Sequence, residues 1–242
     1  MIHVYVGTED SQLIPQLVLE YSIRKNSAHD IVVVPVKQNT NRIGGTNFGF
    51  VRFMVPSLQG FVGTAIYLDA DQLVFCDIAE LLRELPEAYS IALVNNPIGF
   101  FGEKEVPKHN QTSVMVMDCS KLMDWDPQTM FAKVIPNRGP LGAGEIHYRD
   151  FMMLTWFDQS KIWPISPAWN HFNIVESETR IVHFSHVRSQ PWKKPNHPLS
   201  TMWGEWLGEA VRNRAVGRFV LVREILKGNV DKHFLRCLLP WG

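Results

Sequence analysis

The chain has 242 residues, 45% hydrophobic and 20% charged, so it is long enough to bury a core without metal clips or disulfides. Lys plus Arg and Asp plus Glu balance at 24 each, which excludes the basic excess of a nucleic-acid binder and the lopsided charge of a disordered tail. Cys76, Cys119 and Cys237 form no CxxC pair, Met1 to Asp10 has no basic leader with an apolar stretch, and no apolar run nears the ~20 residues that span a bilayer; a cytoplasmic protein in a reducing compartment is expected.

Ile2 to Val6 is a short strand-like run ending at Gly7. Ile14, Leu17, Val18 and Tyr21 follow at helical spacing, with Pro15 tolerable only in the first turn. Ile31 to Val36 is a continuous apolar run, the pattern of a strand buried on both faces. This alternation predicts a mostly parallel sheet with helical crossovers, and it continues through Ala65–Leu68. Asp77-Ile78-Ala79-Glu80 has the spacing of a capping box ahead of Leu81 and Leu82. Further strands are expected at Ile91–Val94, Ser113–Met117 and Ile181–Phe184, and helices at Tyr148–Phe157 and Val220–Leu226. Loops rich in Gly, Asn and Pro fill Asn39–Asn47 and Asn95–Asn110, and Gly44-Gly45 before Asn47 and Gly49 reads as a mobile loop. Ser189 to Pro198 has no periodicity. The fold class is α/β, and ligands of such sheets bind beyond the carboxyl ends of the strands.

The chemistry concentrates in Ala65-Ile66-Tyr67-Leu68-Asp69-Ala70-Asp71, an apolar strand running into two aspartates. Residues i and i+2 of extended backbone share a side, so both carboxylates would converge beyond the strand end. Paired hard oxygens there suit Mg²⁺ or Mn²⁺ with a phosphate-bearing ligand; the alternative is a strand end that starts a solvated turn. Asp124-Trp125-Asp126 repeats the spacing but runs into Pro127 and reads as a surface turn. No GxxxxGK[ST], HExxH or GxSxG is present, and Gly142-Ala143-Gly144 lacks the strand and third glycine of a dinucleotide fingerprint.

"FVRFMVPSL…GTAIYLDADQLVFCDIAELL" resembles the core of glycosyltransferase family 8, the group of glycogenin and bacterial lipopolysaccharide galactosyl- and glucosyltransferases, at Arg52, Phe53, Tyr67, Leu68, Asp69, Asp71, Val74, Asp77, Ile78 and Leu81. "PISPAWNHF" resembles that family's proline-x-x-tryptophan-asparagine segment, and "IVHFSHVRSQPW" its histidine-aromatic…proline-tryptophan ending, in the family's order. The resemblance implies a GT-A fold, Rossmann-like with a mostly parallel sheet flanked by helices, over residues 1–200, with 201–242 as a C-terminal helical extension. It implies a metal-dependent retaining hexosyltransferase that takes a UDP-sugar with Mn²⁺ or Mg²⁺ and delivers the sugar to a glycan, lipid-linked or protein acceptor. Carried over by position, Asp69, Asp71 and His183 would bind the metal, and Gly7, Thr8 and Glu9 the base. Arg52, Asp69, Ala70 and Asn170 would also contact the nucleotide-sugar.

The sequence departs from that pattern in several places. Glu9 stands where an aspartate is usual, and Asn110 or Gln111 would take over a sugar contact. The Asp-Gln-Asp element has no clean counterpart; Tyr148-Arg149-Asp150 occupies about that place, which makes Asp150 the catalytic-site candidate. In the ending His186 replaces a glycine, one residue is added, and Gln190 stands in place of the lysine that would hold the β-phosphate, leaving Arg188 or Lys193 as substitutes. Taken alone, His183 reads more readily as a hydrogen-bonded core histidine than as a ligand, and Trp163, Trp169 and Trp192 as either a sugar-stacking platform or core anchors. From Trp203 onward seven Lys/Arg face four Asp/Glu among interleaved aromatics, either a helical cap on the sheet or a peripheral contact with the inner membrane face. Competing readings are a sugar nucleotidyltransferase and a non-catalytic descendant that binds a nucleotide-sugar or glycan.

Overall fold

The computed structural model describes residues 1–37, 49–101 and 104–239. The expected loop at Asn39–Asn47, with Gly44 and Gly45, lies wholly outside the described residues, and Trp241 lies outside them as well. In chain order the strands are β1 (Ile2–Gly7), β2 (Ile31–Val36), β3 (Thr64–Asp69), β4 (Gln72–Val74), β5 (Ile91–Val94), β6 (Phe100–Phe101), β7 (Lys104–Glu105), β8 (Gln111–Asp118), β9 (Val134–Ile135), β10 (Ile146–His147), β11 (Ile162–Pro164), β12 (His171–Phe172) and β13 (Ile181–His183). The α-helices are α1 (Leu13–Asn26), α2 (Val55–Leu58), α3 (Ala79–Leu82), α4 (Pro127–Phe131), α5 (Tyr148–Met152), α6 (Ser200–Arg212) and α7 (Arg218–Leu226).

Six strands form the central sheet in the order β11-β5-β8-β3-β1-β2. All pair in parallel except β8, which runs antiparallel to both β3 and β5. Strand alternation explains why the sheet is a middle layer. Tyr5, Ala65, Tyr67, Ile91, Leu93, Met115 and Met117 enter one core, against Phe50, Phe53, Trp125 and Phe151. Their neighbours Val4, Val6, Ile66, Leu68, Ala92, Val94, Val114 and Val116 enter the other, against Leu19, Ile23, Ile78 and Trp169. A smaller sheet, β12-β13-β4, stands at the end of β3.

Several expectations shift. β2 is half-buried through its middle, not buried on both faces: it is the edge strand, and Pro35, which has no N–H to donate, sits where a ladder needs no further partner. Asp77 accepts from Ala79 N at 3.0 Å, but Glu80 turns to Arg180, so only half of the capping box forms and α3 is one turn long. The helix expected over Tyr148–Phe157 stops at Met152, where Leu154 takes a positive φ of 57°. Pro15 falls in the first turn of α1, as its chemistry requires. Asp126 caps α4 through Gln128 N at 3.1 Å and Thr129 N at 3.3 Å, the turn role expected of it.

Helix α6 opens at Ser200 and, with α7, completes a third core: Trp203, Leu207, Leu221 and Phe234 pack with Ile14 and Val18 of α1 and with Phe184 and Trp192. Trp203, Trp206 and Phe234 therefore cap α1 and the small sheet, while Phe219 and Leu226 stay exposed. The three cysteines are free. No helix among the described residues is long and apolar enough to cross a membrane.

Trp203 packs between Trp192, tilted with centroids 5.3 Å apart, and Phe234, edge-on at 5.2 Å. Trp203→Ala is expected to lower stability by about 3–5 kcal/mol, read by chemical denaturation, because the cavity lies where three segments meet.

Candidate active site

β3 ends at Asp69, and the chain turns at Ala70 and Asp71 before entering β4. Asp71 is thus outside extended backbone, and the two carboxylates converge through the turn instead of by strand alternation. Ala70 N bonds Gly7 O at 3.0 Å, tying the turn to the end of β1. β4 then pairs antiparallel with β13, in a register that sets His183 opposite Gln72, and Phe184 N donates to Asp71 O at 2.8 Å. This pairing returns a distant histidine to the two aspartates. Oxygen and nitrogen ligand atoms of Asp69, Asp71 and His183 lie within 4.8 Å of one another, and all three side chains are buried.

Asp69 is anchored from behind. Arg52, on a 3-10 turn over Val51–Met54, places Nη2 at 2.9 and 3.1 Å from its two carboxylate oxygens. Nη1 of the same arginine donates to Thr112 Oγ1 at 2.7 Å. Tyr67 donates its hydroxyl to Asp69 Oδ1 at 2.6 Å, two residues back on the same strand face. Burial pulls the Arg52 pKa down, but the Asp69 carboxylate together with Tyr67 and Tyr148 outweighs it and the net shift is upward. Burial also raises the Asp69 carboxyl, opposed by Arg52 and reinforced by Asp71. Burial likewise lifts the Tyr67 phenol well above its ordinary value, so it remains a donor.

The hydrogen-bond network assigns the tautomer of His183. Asn170, fully buried, donates through Nδ2 to Ser113 Oγ at 2.9 Å, which leaves its Oδ1 facing His183 Nδ1 at 3.2 Å. In the neutral ring that nitrogen carries the proton, so Nε2 presents a lone pair. Nε2 stands 3.2 Å from Asp71 Oδ1 and 4.0 Å from Asp69 Oδ2. Asp71 Oδ1 is itself buried without a hydrogen-bond donor. Three electron-pair donors thus converge on a point that calls for a cation, and two carboxylates with one imidazole form a set suited to Mn²⁺ or Mg²⁺. The residues fit a divalent metal.

A cleft of about 610 Å³ reaches this cluster at Asp69 and His183, with Asp71 behind them, and is lined also by Arg52, Ser185, His109, Gln111, Tyr148 and Arg149. Gln111, an expected sugar contact, lines it with its amide on His109 Nδ1 at 3.0 Å. Gly7 and Thr8 close β1, and Thr8 N bonds Val36 O at 3.0 Å. Glu9 accepts from Ser11 Oγ at 2.6 Å and keeps Oε2 buried without a partner. Asn170 supports His183 from behind and does not line the cleft, and neither does Asp150; Tyr148 and Arg149 of the same segment do. Trp169 and Trp192 are fully buried, which removes them as a stacking platform, and Trp163 packs on Tyr89 in the edge strand β11. Lys193 Nζ reaches Val187 O at 3.3 Å; burial lowers its pKa, opposed by Glu9 and Asp71. Thr112, Ser113 and His109 carry no motif of their own, and their part emerges only from the structure.

The glycine at the end of β1 has a packing reason. A Cβ on Gly7 would stand 2.0 Å from Tyr67 Oη, the hydroxyl that holds Asp69.

No protein-family model matches the chain. Protein CDI of Arabidopsis thaliana is 24% identical over 219 residues, 78% of this chain and 78% of that protein. Among solved structures, the galactosyltransferase LgtC, in complex with donor and acceptor sugar analogs, superposes with a TM-score of 0.62 at 12% identity, over 86% of this chain and 96% of its own. The glycosyltransferase GlyE of Streptococcus pneumoniae TIGR4 gives 0.60 at 16% identity, over 85% of this chain and 60% of its own. The bifunctional glycosyltransferase WbbM gives 0.59 at 13% identity, over 85% of this chain. The chain spans about half of WbbM, 49%. These likenesses establish the fold, which is that of the GT-A glycosyltransferases.

Gly7→Ala is expected to destabilise by about 1–3 kcal/mol through overpacking, and Tyr67→Phe in the same chain should recover part of it; denaturant midpoints of both variants test this. Arg52→Met leaves Asp69 buried without a counter-charge and should cost about 3–5 kcal/mol near neutral pH. Asp69 has a folded-state pKa above its unfolded value, so its contribution is largest at low pH and falls as pH rises through that window. Loss of Arg52 extends the window upward. The stability gap between wild type and Arg52→Met should therefore narrow as pH falls, which melting curves across pH will read.

Proposed function

We propose that this chain is a metal-dependent, retaining hexosyltransferase related to glycosyltransferase family 8, with a UDP-sugar as donor and a glycan, lipid-linked or protein acceptor. The observation that carries the reading is the convergence of Asp69, Asp71 and the lone pair of His183, two of which, Asp69 and His183, line a cleft in a GT-A fold. Residues 1–200 would form the catalytic unit, with 201–242 as its C-terminal support. Exposed Phe219 and Leu226 beside Arg218 and Arg223 are what favours a peripheral membrane contact of that support.

Each side chain then has a task. Asp69, Asp71 and His183 hold Mn²⁺ or Mg²⁺, which when bound neutralises the diphosphate and stabilises UDP as it leaves. Arg52 fixes Asp69 and keeps the carboxylate charged in a buried place. Asn170 fixes the tautomer and plane of His183, the usual service to a metal-bound imidazole. Gly7, Thr8, Glu9 and Ala70 line the end of β1 beside the turn, where the unpartnered Glu9 Oε2 would accept an N–H of the base. Gln111 would receive hydroxyls of the transferred sugar. Rate acceleration would come from positioning and electrostatics, with no covalent nucleophile assigned.

A second reading is a non-catalytic binder of nucleotide-sugars. It is favoured by Gln190 in the lysine position and by the absence of Asp150 from the cleft wall.

UDP and Mn²⁺ together, at about 100 times their dissociation constant, should add ~2.7 kcal/mol and raise the melting temperature by several degrees. Either alone should do less, and Asp71→Asn should abolish the joint shift. No shift with any nucleotide would remove the transferase reading. A joint shift without any hydrolysis or transfer from a panel of UDP-sugars would support the binder.

A further inference from the structure

Gln190 is 1% exposed, yet its side chain faces a charged cluster. Its Nε2 donates to Asp71 Oδ2 at 3.0 Å and to Phe184 O at 3.1 Å. Two acceptors fix the amide orientation, because turning it over would aim Oε1 at a carboxylate and a carbonyl. The backbone secures the residue from the other side: Lys193 N and Lys194 N donate to Gln190 O at 2.8 and 3.1 Å, and Trp192 is buried just beyond. Phe184 is also the residue whose N–H holds the Asp71 carbonyl. Gln190 therefore grips the backbone and the side chain of the Asp71 region as one unit. With Oδ2 engaged, Asp71 is left with Oδ1 turned toward His183 Nε2 at 3.2 Å.

We infer that Gln190 is a positioning residue for Asp71: its neutral amide occupies one carboxylate oxygen so that the other is presented, pre-oriented and still fully charged, to a divalent cation shared with Asp69 and His183. An ammonium in this position would offset the charge of Asp71, whereas an amide orients it and leaves the charge intact. A carboxylate free to rotate would have to be ordered by the cation itself, at a loss of affinity. This inference rests on the metal reading of the Asp69–Asp71–His183 cluster.

The test is Mn²⁺ binding to the full chain, with and without UDP, followed by the electron paramagnetic resonance signal of free Mn²⁺. Gln190→Leu, which keeps bulk and removes both donors, should weaken Mn²⁺ about 10–100-fold, the usual effect of losing a hydrogen bond to a metal ligand. Gln190→Asn keeps the amide on a shorter stem and should lose less. The metal-free melting temperature should move by only a few degrees, and the visible spectrum of bound Co²⁺ should change in Gln190→Leu, a signature that a purely structural residue would not alter. Wild-type Mn²⁺ affinity and an unchanged Co²⁺ spectrum in Gln190→Leu would overturn the inference while leaving the metal reading standing. A loss of Mn²⁺ that merely tracks a loss of folded protein would overturn it too. Failure of wild type to bind Mn²⁺ under any condition would remove the metal reading and this inference with it.

Discussion

A carboxylate at the end of a buried strand is the constraint around which this molecule is arranged. Asp69 has little access to water, and a charge in such a place persists only if hydrogen bonds and an opposite charge replace hydration. Arg52, Tyr67 and, through Arg52, Thr112 supply them. Each demand propagates outward. Tyr67 needs space for its hydroxyl, which the missing side chain of Gly7 provides, and Arg52 needs the turn over Val51–Met54 that the aromatic core of Phe50 and Phe53 holds in place.

The second aspartate is governed differently. Asp71 depends on segments far along the chain: β13 sets its backbone, His183 faces one carboxylate oxygen, and Gln190 binds the other. The third core explains why those late segments can be trusted with this job. Phe184 and Trp192, immediately beside His183 and Gln190, are locked among Trp203 and Phe234 of the C-terminal helices. Rigidity around Asp71 and His183 is thus inherited from a core built by α1, the small sheet and the C-terminal helices, and a lesion in α6 would loosen both side chains without touching them.

What the sequence revealed follows the range of the physics involved. β1, β3 and β5 were legible because short apolar runs between turn signals encode local structure, and the Asp69-Ala70-Asp71 step was legible because few other patterns place two carboxylates after such a strand. The mechanism expected for their convergence was wrong in detail, since Asp71 lies in a turn, and a turn is decided by what β4 pairs with. β2 looked doubly buried because composition reports hydrophobicity and not position in a sheet; only Pro35 hinted at an edge. Arg52 and His183 came through resemblance to known motifs. Thr112, Ser113 and the amide of Gln190 act through contacts across the fold, and no local pattern announces such contacts. Asn170 was read as a ligand contact and stands one layer back, a distinction that depends on depth alone.

The single reversed strand has a final consequence. β8 pairs regularly with β3 through Val114, but toward β5 the ladder slips, and Val94 meets Gln111 in place of Val114. Such an irregularity re-aims side chains. Thr112, which strict alternation would group with Val114 and Val116, instead bonds Arg52 on the opposite face, while Ser113 meets Asn170. One short distortion therefore feeds both anchors, the one behind Asp69 and the one behind His183. Removing the extra residues would give a straighter ladder with better pairing, and a sheet that had become more orderly would hold Asp69 and His183 out of step.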